Sequence, residues 1–213
     1  MSVARRKRWN LKRRGIALDT EYQLRARLSG LALAAQDKPP TVAGLSGLDA
    51  NLDLTHKGGR ADLAMNDGQL LLPGVFEDPV LPVRQLSATV LWQIEGRRIA
   101  VQSSDLRFAN ADAQGEARLA WQTADAATSP ARARFPGVLD LSGSLSRADG
   151  TRVHRYLPLA IPAETRHYVR DAVQAGSASE VRFRVKGDLH DFPYGHAPRL
   201  GEFHIAARVT DVT

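Results

Sequence analysis

The amino-acid sequence predicts a mainly β protein of antiparallel strands with one helix, and three observations carry this prediction. Alternation of apolar and polar residues with a period of two recurs along most of the 213 residues, which is the pattern of strands that bury one face. Short turn sequences separate many of these segments. Only one segment has the composition and the end residues of a helix.

The strand pattern is clearest at residues 181–186, where Val, Phe and Val alternate with Arg, Arg and Lys. Such a strand has one apolar and one cationic face, so it is solvated on one side. Ten further segments bring the expected number of strands to about eleven. They are residues 22–28, 48–54, 62–65, 69–72, 86–94, 98–102, 106–110, 117–121, 139–145 and 203–209.

The connections between these segments predict hairpins. Residues 56–59 (His-Lys-Gly-Gly), 66–68 (Asn-Asp-Gly) and 95–96 (Glu-Gly) are short and contain residues that accept positive φ, so each is expected to reverse the chain between antiparallel neighbours. Longer breaks fall at residues 36–41 and 73–82.

Composition divides the chain into four parts. Residues 1–14 form a basic arm that we expect to be disordered, and 15–123 a first β subdomain. An Ala/Ser/Pro-rich loop at 124–136 leads to a second β subdomain at 137–213.

The predicted helix, amphipathic and near residues 162–175, interrupts the strand pattern. Pro162 stands at its first position, Glu164 in its first turn and Gly176 just beyond its end, which is the usual distribution of these residues at helix ends. Because a single helix covers little of a sheet this large, the apolar strand faces must pack on each other, on another chain or on something that is not protein.

Charge and composition exclude several classes of protein. The chain has no cysteine, which removes disulfides, thiol nucleophiles and Cys-ligated metals. Seven of its 29 Lys and Arg residues lie within residues 5–14, which contain no acid, so the remainder carries 22 bases against 23 acids. No apolar run approaches the roughly 18 to 20 residues that span a bilayer. Nothing resembles a secretory signal peptide either.

Catalytic motifs are absent from the sequence, so we predict no enzyme, no catalytic residue, no cofactor and no metal site. The best metal-like group is Asp188, His190, Asp191, His196 and His204. A metal hydrolase would need these residues to converge, but their spacing matches no ligand pattern. The alternative, which we favour, is that the two aspartates cap a turn.

Two further interpretations follow from the pattern alone. The apolar strand faces could close on each other as a sandwich or barrel core, or form an open trough able to hold acyl chains. The basic arm could let a self-contained β-sandwich bind nucleic acid or a protein partner, although nucleic acid is disfavoured because no basic aromatic platform follows the arm.

Three elements in order resemble the YhdP family of AsmA-like proteins. Residues 155–159 read Arg-Tyr-Leu-Pro-Leu, the predicted helix follows, and residues 181–194 read Val-Arg-Phe-Arg-Val-Lys-Gly-Asp-Leu-His-Asp-Phe-Pro-Tyr. The family motif is Tyr-Leu-Pro, then a helix, then a strand running into Lys-Gly-x-Leu-x-Asp-Phe-Pro-Phe, so Tyr194 stands where Phe is usual. Upstream segments at 44–47, 58–59, 73–79 and 86–92 are also similar.

This resemblance implies a curled antiparallel sheet that forms an open hydrophobic groove in a periplasmic, bridge-like lipid-transport protein supporting outer-membrane integrity. The chain would be an internal piece of a longer protein tethered to the inner membrane through an anchor that this chain lacks. Its implied partners are phospholipid and the outer membrane or its proteins. Unpaired edge strands would also favour self-association.

Strand phase predicts which residues line the groove, because side chains two apart share a face. The predicted lining residues are Leu52, Leu54, Val90, Trp92, Leu119, Trp121, Val181, Phe183, Val185, Phe203 and Ile205. The helix is a candidate cap or gate for the groove.

Overall fold

A computed structural model of the protein describes residues 21–38, 42–194 and 199–211. Within these ranges nine strands of 10 to 16 residues form one sheet. The strands are β1 (Gln23–Leu33), β2 (Gly44–Thr55), β3 (Gly58–Leu71), β4 (Val80–Glu95), β5 (Arg98–Ala109), β6 (Ala113–Gln122), β7 (Val138–Asp149), β8 (Ser177–Asp188) and β9 (Gly201–Thr210). A 3₁₀ helix (Gly150–Tyr156) and α1 (Ala163–Ala172) lie between β7 and β8.

The sheet has the simplest order that nine strands allow. Each strand pairs antiparallel with the next one in sequence, from β1 at one edge to β9 at the other, and the sheet is open. The prediction of a mainly β, antiparallel fold is confirmed, and the open sheet is consistent with a curled groove.

The expected number of strands was wrong because two predicted breaks lie inside strands. The Asn-Asp-Gly sequence at 66–68 does not reverse the chain: Asn66 pairs with Gln85 and Gly68 with Val83, so β3 continues through it. Asp67 takes its positive φ of 52° there, and the register to β2 shifts at the same point. Residues 103–105 similarly lie inside β5. The positive φ of Asp67 therefore accommodates a bulge inside β3 rather than a hairpin turn.

The helix is shorter than predicted. It covers Ala163–Ala172, and Pro162 precedes it as the cap rather than occupying its first turn. Val173 leaves helical geometry, with φ −95° and ψ 88°. The 3₁₀ helix before it was not predicted, although Asp149 caps it by accepting a hydrogen bond from the Thr151 amide, an ordinary role for aspartate before a helical turn.

Two proposed divisions of the chain remain predictions. Residues 1–14, the basic arm, lie outside the described residues. The loop at 124–136 does separate β6 from β7, but these strands pair directly along their length, so one sheet runs through both proposed subdomains.

Buried apolar side chains are concentrated in the first half of the sheet. Leu48, Met65 and Val83 on three neighbouring strands form a buried cluster. The described helices add little cover: α1 packs against the 3₁₀ helix, which in turn contacts β7 and β8. Neither of these two helices is long and apolar enough to cross a membrane.

Candidate functional site: the apolar face of the sheet

One face of the sheet carries apolar side chains from edge to edge. Cross-strand partners point to the same side of a sheet, so the register identifies residues that share a face. The first row across the nine strands is Leu24, Leu54, Gly59, Trp92, Val101, Trp121, Leu139, Gly187 and Gly201.

Three more rows run parallel to the first, and we call the four together the apolar face. The second row is Ala26, Leu52, Ala61 and Val90, then Ser103, Leu119, Leu141, Val185 and Phe203 beyond an irregularity between β4 and β5. The third is Leu28, Ala50, Leu63 and Ala88, then Leu106, Ala117, Gly143, Phe183 and Ile205. The fourth is Leu31, Leu48, Met65, Leu86, Phe108, Gly115, Leu145 and Val181. No charged residue occurs in these rows.

All eleven residues predicted to line a groove lie in the four rows, so the structure brings them together on one face. Whether that face contacts lipid stays a prediction. The eleven predicted residues did not include several large apolar members of the face, such as Met65, Phe108 and Leu139, nor its small members, such as Gly59 and Gly143. Their positions follow from counting in steps of two along each strand, but glycine and alanine do not stand out as apolar in a pattern search.

Aromatic rings lie against the glycines of the apolar face. A Cβ added to Gly143 would lie 2.4 Å from Cζ of Phe183, and one added to Gly59 would lie 2.6 Å from Cζ2 of Trp92. Each ring thus occupies the space that the glycine of the neighbouring strand leaves free. The two rings therefore lie over the glycines of the neighbouring strands instead of projecting away from the sheet.

Exposure of the apolar face rises towards the edges of the sheet. Val181, on β8, is 7% exposed, whereas Ile205 on the edge strand β9 is 55% exposed and Leu24 on β1 is 50% exposed. Large apolar side chains open to solvent at both edges are the arrangement expected of a surface that something else covers.

The opposite face, which we call the polar face, is held by ion pairs. Arg25 lies 2.9 Å from Asp53, and Arg184 lies 2.8 Å from Glu202 on the neighbouring strand. Hydrogen bonds from Arg60 and Thr89 lower the pKa of Asp62 below its ordinary value. A concavity of about 590 Å³ on this side includes charged side chains of both signs, among them Asp105, Glu116 and Arg182. The sheet is therefore amphipathic, with one apolar and one charged face.

The described residues contain no group of three or more acidic or histidine side chains that could hold a metal ion. Asp188 instead accepts hydrogen bonds from the His190 amide at 3.0 Å and the Ser129 hydroxyl at 2.7 Å. This is the turn-capping role proposed for it above. His204 lies on the polar face opposite Arg184, and His196 lies outside the described residues.

Two loops bring aromatic rings to one end of the apolar face, which we call the first rim. It is the end where β4 meets β5, β6 meets β7 and β8 meets β9. Phe135 stacks on Trp121 with ring centres 6.1 Å apart, and Phe192 packs edge-on against Phe203 at 5.2 Å. A Cβ added to Gly201 would lie 2.3 Å from Cε1 of Tyr194, so the Tyr194 ring covers the first row near the β9 edge.

The second rim, at the other end of the strands, is held by polar contacts. Arg155 of the 3₁₀ helix lies 2.8 Å from both Asp78 and Asp112. The Tyr156 hydroxyl lies 3.0 Å from Asp112, and burial raises the pKa of this tyrosine. Asp78 belongs to the β3–β4 loop and Asp112 to the β5–β6 turn. The 3₁₀ helix thus joins connections that belong to different hairpins.

The helix α1 lies at the second rim and adds to these contacts. Arg166 and His167 both reach Glu77 in the β3–β4 loop, at 3.4 Å and 3.1 Å. The hydrogen bond with His167 is the largest cause that lowers the pKa of Glu77. The Leu159 amide also donates to the Val75 carbonyl at 2.9 Å. Because these contacts span the ends of β5 and β6, they draw the β3–β4 loop towards the segment that follows β7.

Comparison with known proteins yields one match. A family model described as YhdP protein matches residues 8–213, nearly the whole chain. No curated protein and no solved structure matches the chain significantly.

Proposed function

The chain belongs to the YhdP family, a family of AsmA-like lipid-transport proteins, and from this premise we propose that its apolar face shields phospholipid acyl chains. The segment would form part of a periplasmic bridge between the inner and outer membranes and so support outer-membrane integrity. Tethering to the inner membrane and contacts with the outer membrane or its proteins belong to the same proposal.

The observation that carries the proposal is the apolar face, whose four rows contain no charged residue and only Ser103 as a member with a side-chain hydroxyl. Four rows spaced two residues apart cover about 20 Å along the strands, and nine strands cover about 38 Å across the sheet. An extended acyl chain of about 16 carbons is of comparable length to the first dimension. Its transfer from water is favourable by about 12 kcal/mol at 0.8 kcal/mol per methylene. Within the described residues, no second layer of strands or helices packs over the apolar face.

Charge supports the same arrangement. The polar face carries ion pairs suited to water, whereas the four apolar rows have no charge. An acyl chain crossing an aqueous compartment would therefore meet an uncharged, mostly apolar surface on one side of this sheet, while the ion pairs face the solvent on the other.

Site-specific photocrosslinking in the full-length protein in its membrane tests the proposal. A photoreactive residue is placed at Val185 or Phe203, with Trp92 as a third site, and lipid adducts are scored by mass. The matched controls are Arg184 and His204, since each is the sequence neighbour of a test site and lies on the polar face.

We expect adducts at the apolar sites and none at the controls. Adducts at neither set, in protein that is folded, would mean that these strands pack on protein, and the proposed function would be abandoned. Equal adducts at both sets would contradict the assignment of faces.

A further inference from the structure

The first rim carries an excess of basic residues that the second rim lacks. The β2–β3 turn also lies at the first rim, because each strand pairs antiparallel with the next. The first-rim connections between described strands are residues 56–57, 96–97, 123–137 and 189–200, with five Lys and Arg residues against two acids. Those at the second rim are residues 34–43, 72–79, 110–112 and 150–176, with five against six. The two ends of the strands therefore differ in charge.

The basic side chains of the two rims also differ in their partners. At the second rim, Arg155 and Arg166 reach acids that belong to other connections. At the first rim, Lys57, Arg97 and Arg132 are exposed, and no acid of the described chain lies within ion-pair distance of their side chains. The second rim thus uses its cations internally, whereas the first rim presents them to the solvent.

The two acids of the first-rim connections do not neutralise these cations. Asp125 accepts a hydrogen bond from the Ala127 amide at 2.9 Å. Oδ2 of Asp191 is buried, so it is not available at the surface. The net positive charge of the first rim is therefore open to an anionic partner.

Exposed apolar side chains lie among the cations of the first rim. Phe135, which stacks on Trp121, is 57% exposed, and Leu200 is 51% exposed. The guanidinium carbon of Arg134 lies 5.7 Å from the centre of the Phe135 ring. The second rim also exposes apolar residues, so charge distinguishes the two ends. The first-rim connections follow one another every second strand, along a border of about 30 Å.

We propose that the first rim docks on the surface of a membrane that contains anionic lipids. Lys57, Arg97 and Arg132 would face the lipid phosphates, and each cation near such a surface strengthens binding about fivefold. Phe135 and Leu200 would enter the interfacial layer, where aromatic and apolar side chains beside basic residues are favourable. The inference goes beyond the proposed function, because it concerns the ends of the strands and needs no lipid on the apolar face.

Flotation of the 213-residue chain with lipid vesicles tests the proposal. Vesicles of phosphatidylcholine alone are compared with vesicles that also contain phosphatidylglycerol, which is anionic. The charge variant combines Arg97→Gln and Arg132→Gln. Its matched control combines Lys38→Gln and Arg152→Gln, which removes the same charge from two exposed positions at the second rim.

A second pair of variants tests the apolar contribution. Leu200→Ser removes an apolar side chain from the first rim. Leu33→Ser is its matched control, because Leu33 is 50% exposed and lies at the second rim. Residues 1–14 are unchanged in every variant, so their basic side chains contribute equally. Equal unfolding midpoints establish that the variants are folded.

We expect the charge variant to bind the anionic vesicles about 30-fold more weakly, the effect of losing two cations near the surface. Its control should stay within about threefold, because the second rim lies about 30 Å away and the Debye length is about 8 Å. Leu200→Ser should weaken binding about tenfold and Leu33→Ser should not. Phosphatidylcholine vesicles should bind all the proteins weakly.

Three outcomes overturn the inference. Equal losses in the charge variant and its control would mean that overall charge, including residues 1–14, attracts the protein to the bilayer. Full binding by Leu200→Ser, with a loss in the charge variant, would make the first rim a surface for anions in general. Equal binding to both kinds of vesicle would assign the contact to the apolar face. Photocrosslinking at Val185 and Phe203 tests that face separately, so the two proposals can fail independently.

Discussion

Arg155 joins separate parts of the second rim, and its replacement tests how that rim is held together. Its guanidinium lies 2.8 Å from both Asp78 and Asp112, and the side chain of Asp112 is only 11% exposed. Arg155→Met keeps the aliphatic stem of the side chain but removes both ion pairs. The Asp112 carboxylate then retains, among the described residues, only the hydrogen bond from the Tyr156 hydroxyl.

The expected loss comes mainly from Asp112, because Asp78 is half exposed and can be solvated again. Breaking a fully buried ion pair costs about 3 to 5 kcal/mol, and an exposed pair contributes little. The intermediate burial here gives about 2 to 3 kcal/mol. With a urea dependence of about 2 to 3 kcal/mol per molar, the unfolding midpoint should fall by about 1 M.

Urea unfolding followed by circular dichroism measures this shift, and Arg25→Met is the matched control. Arg25 lies 2.9 Å from Asp53, but the two side chains are 76% and 46% exposed. Water replaces that contact, so no resolvable shift is expected. Equal shifts in the two variants, or no shift in Arg155→Met, would refute the argument that burial makes the Arg155 contacts important.

The pH dependence gives a second measurement on the same variant. The hydrogen bond from Arg155 is the largest cause that lowers the pKa of Asp78 below 3.8. A carboxyl whose pKa is lowered by folding adds stability above its ordinary pKa and loses it as the pH falls through the lowered value. The difference in the free energy of unfolding between the original chain and Arg155→Met should therefore narrow as the pH falls below the ordinary pKa of 3.8. A constant difference would contradict this reasoning.

Three further predictions concern other contacts. Tyr194→Phe should leave stability unchanged or raise it by up to about 1 kcal/mol, because the buried hydroxyl has no hydrogen-bond partner among the described residues; a clear loss in thermal unfolding would reveal a partner. Gly143→Ala should lower stability by about 1 to 3 kcal/mol, since the new methyl meets the Phe183 ring, and adding Phe183→Leu should restore part of the loss. His167→Ala should raise the pKa of Glu77 towards its ordinary 4.5, and a carboxyl titration by NMR that shows no change would disprove their coupling.

The faces of the strands could be predicted from the sequence because alternation is a local property. In residues 181–186 each side chain points opposite to its neighbours, whatever the rest of the chain does. Phase alone therefore assigned all eleven predicted lining residues to one face. The approximate place of the helix was also predicted, since Pro162 and Glu164 act through the backbone nearest to them.

Strand number was less predictable, because one local sequence can serve two structures. Asn66-Asp67-Gly68 suits a hairpin turn and a bulge equally well. The choice was made by pairing with β4, where Asn66 faces Gln85 and Gly68 faces Val83. No pattern within β3 contains that information.

By itself, the sequence determined that this protein is a sheet of amphipathic antiparallel strands, and it placed the eleven predicted side chains on one face. Tertiary structure alone decided what borders that face. Arg155 meets Asp78 from 77 residues away, Phe135 stacks on Trp121 across a loop, and Arg134 reaches the Arg97 carbonyl 37 residues from it. Alternation arises from the geometry of consecutive residues, whereas these contacts depend on how loops pack after the sheet has formed.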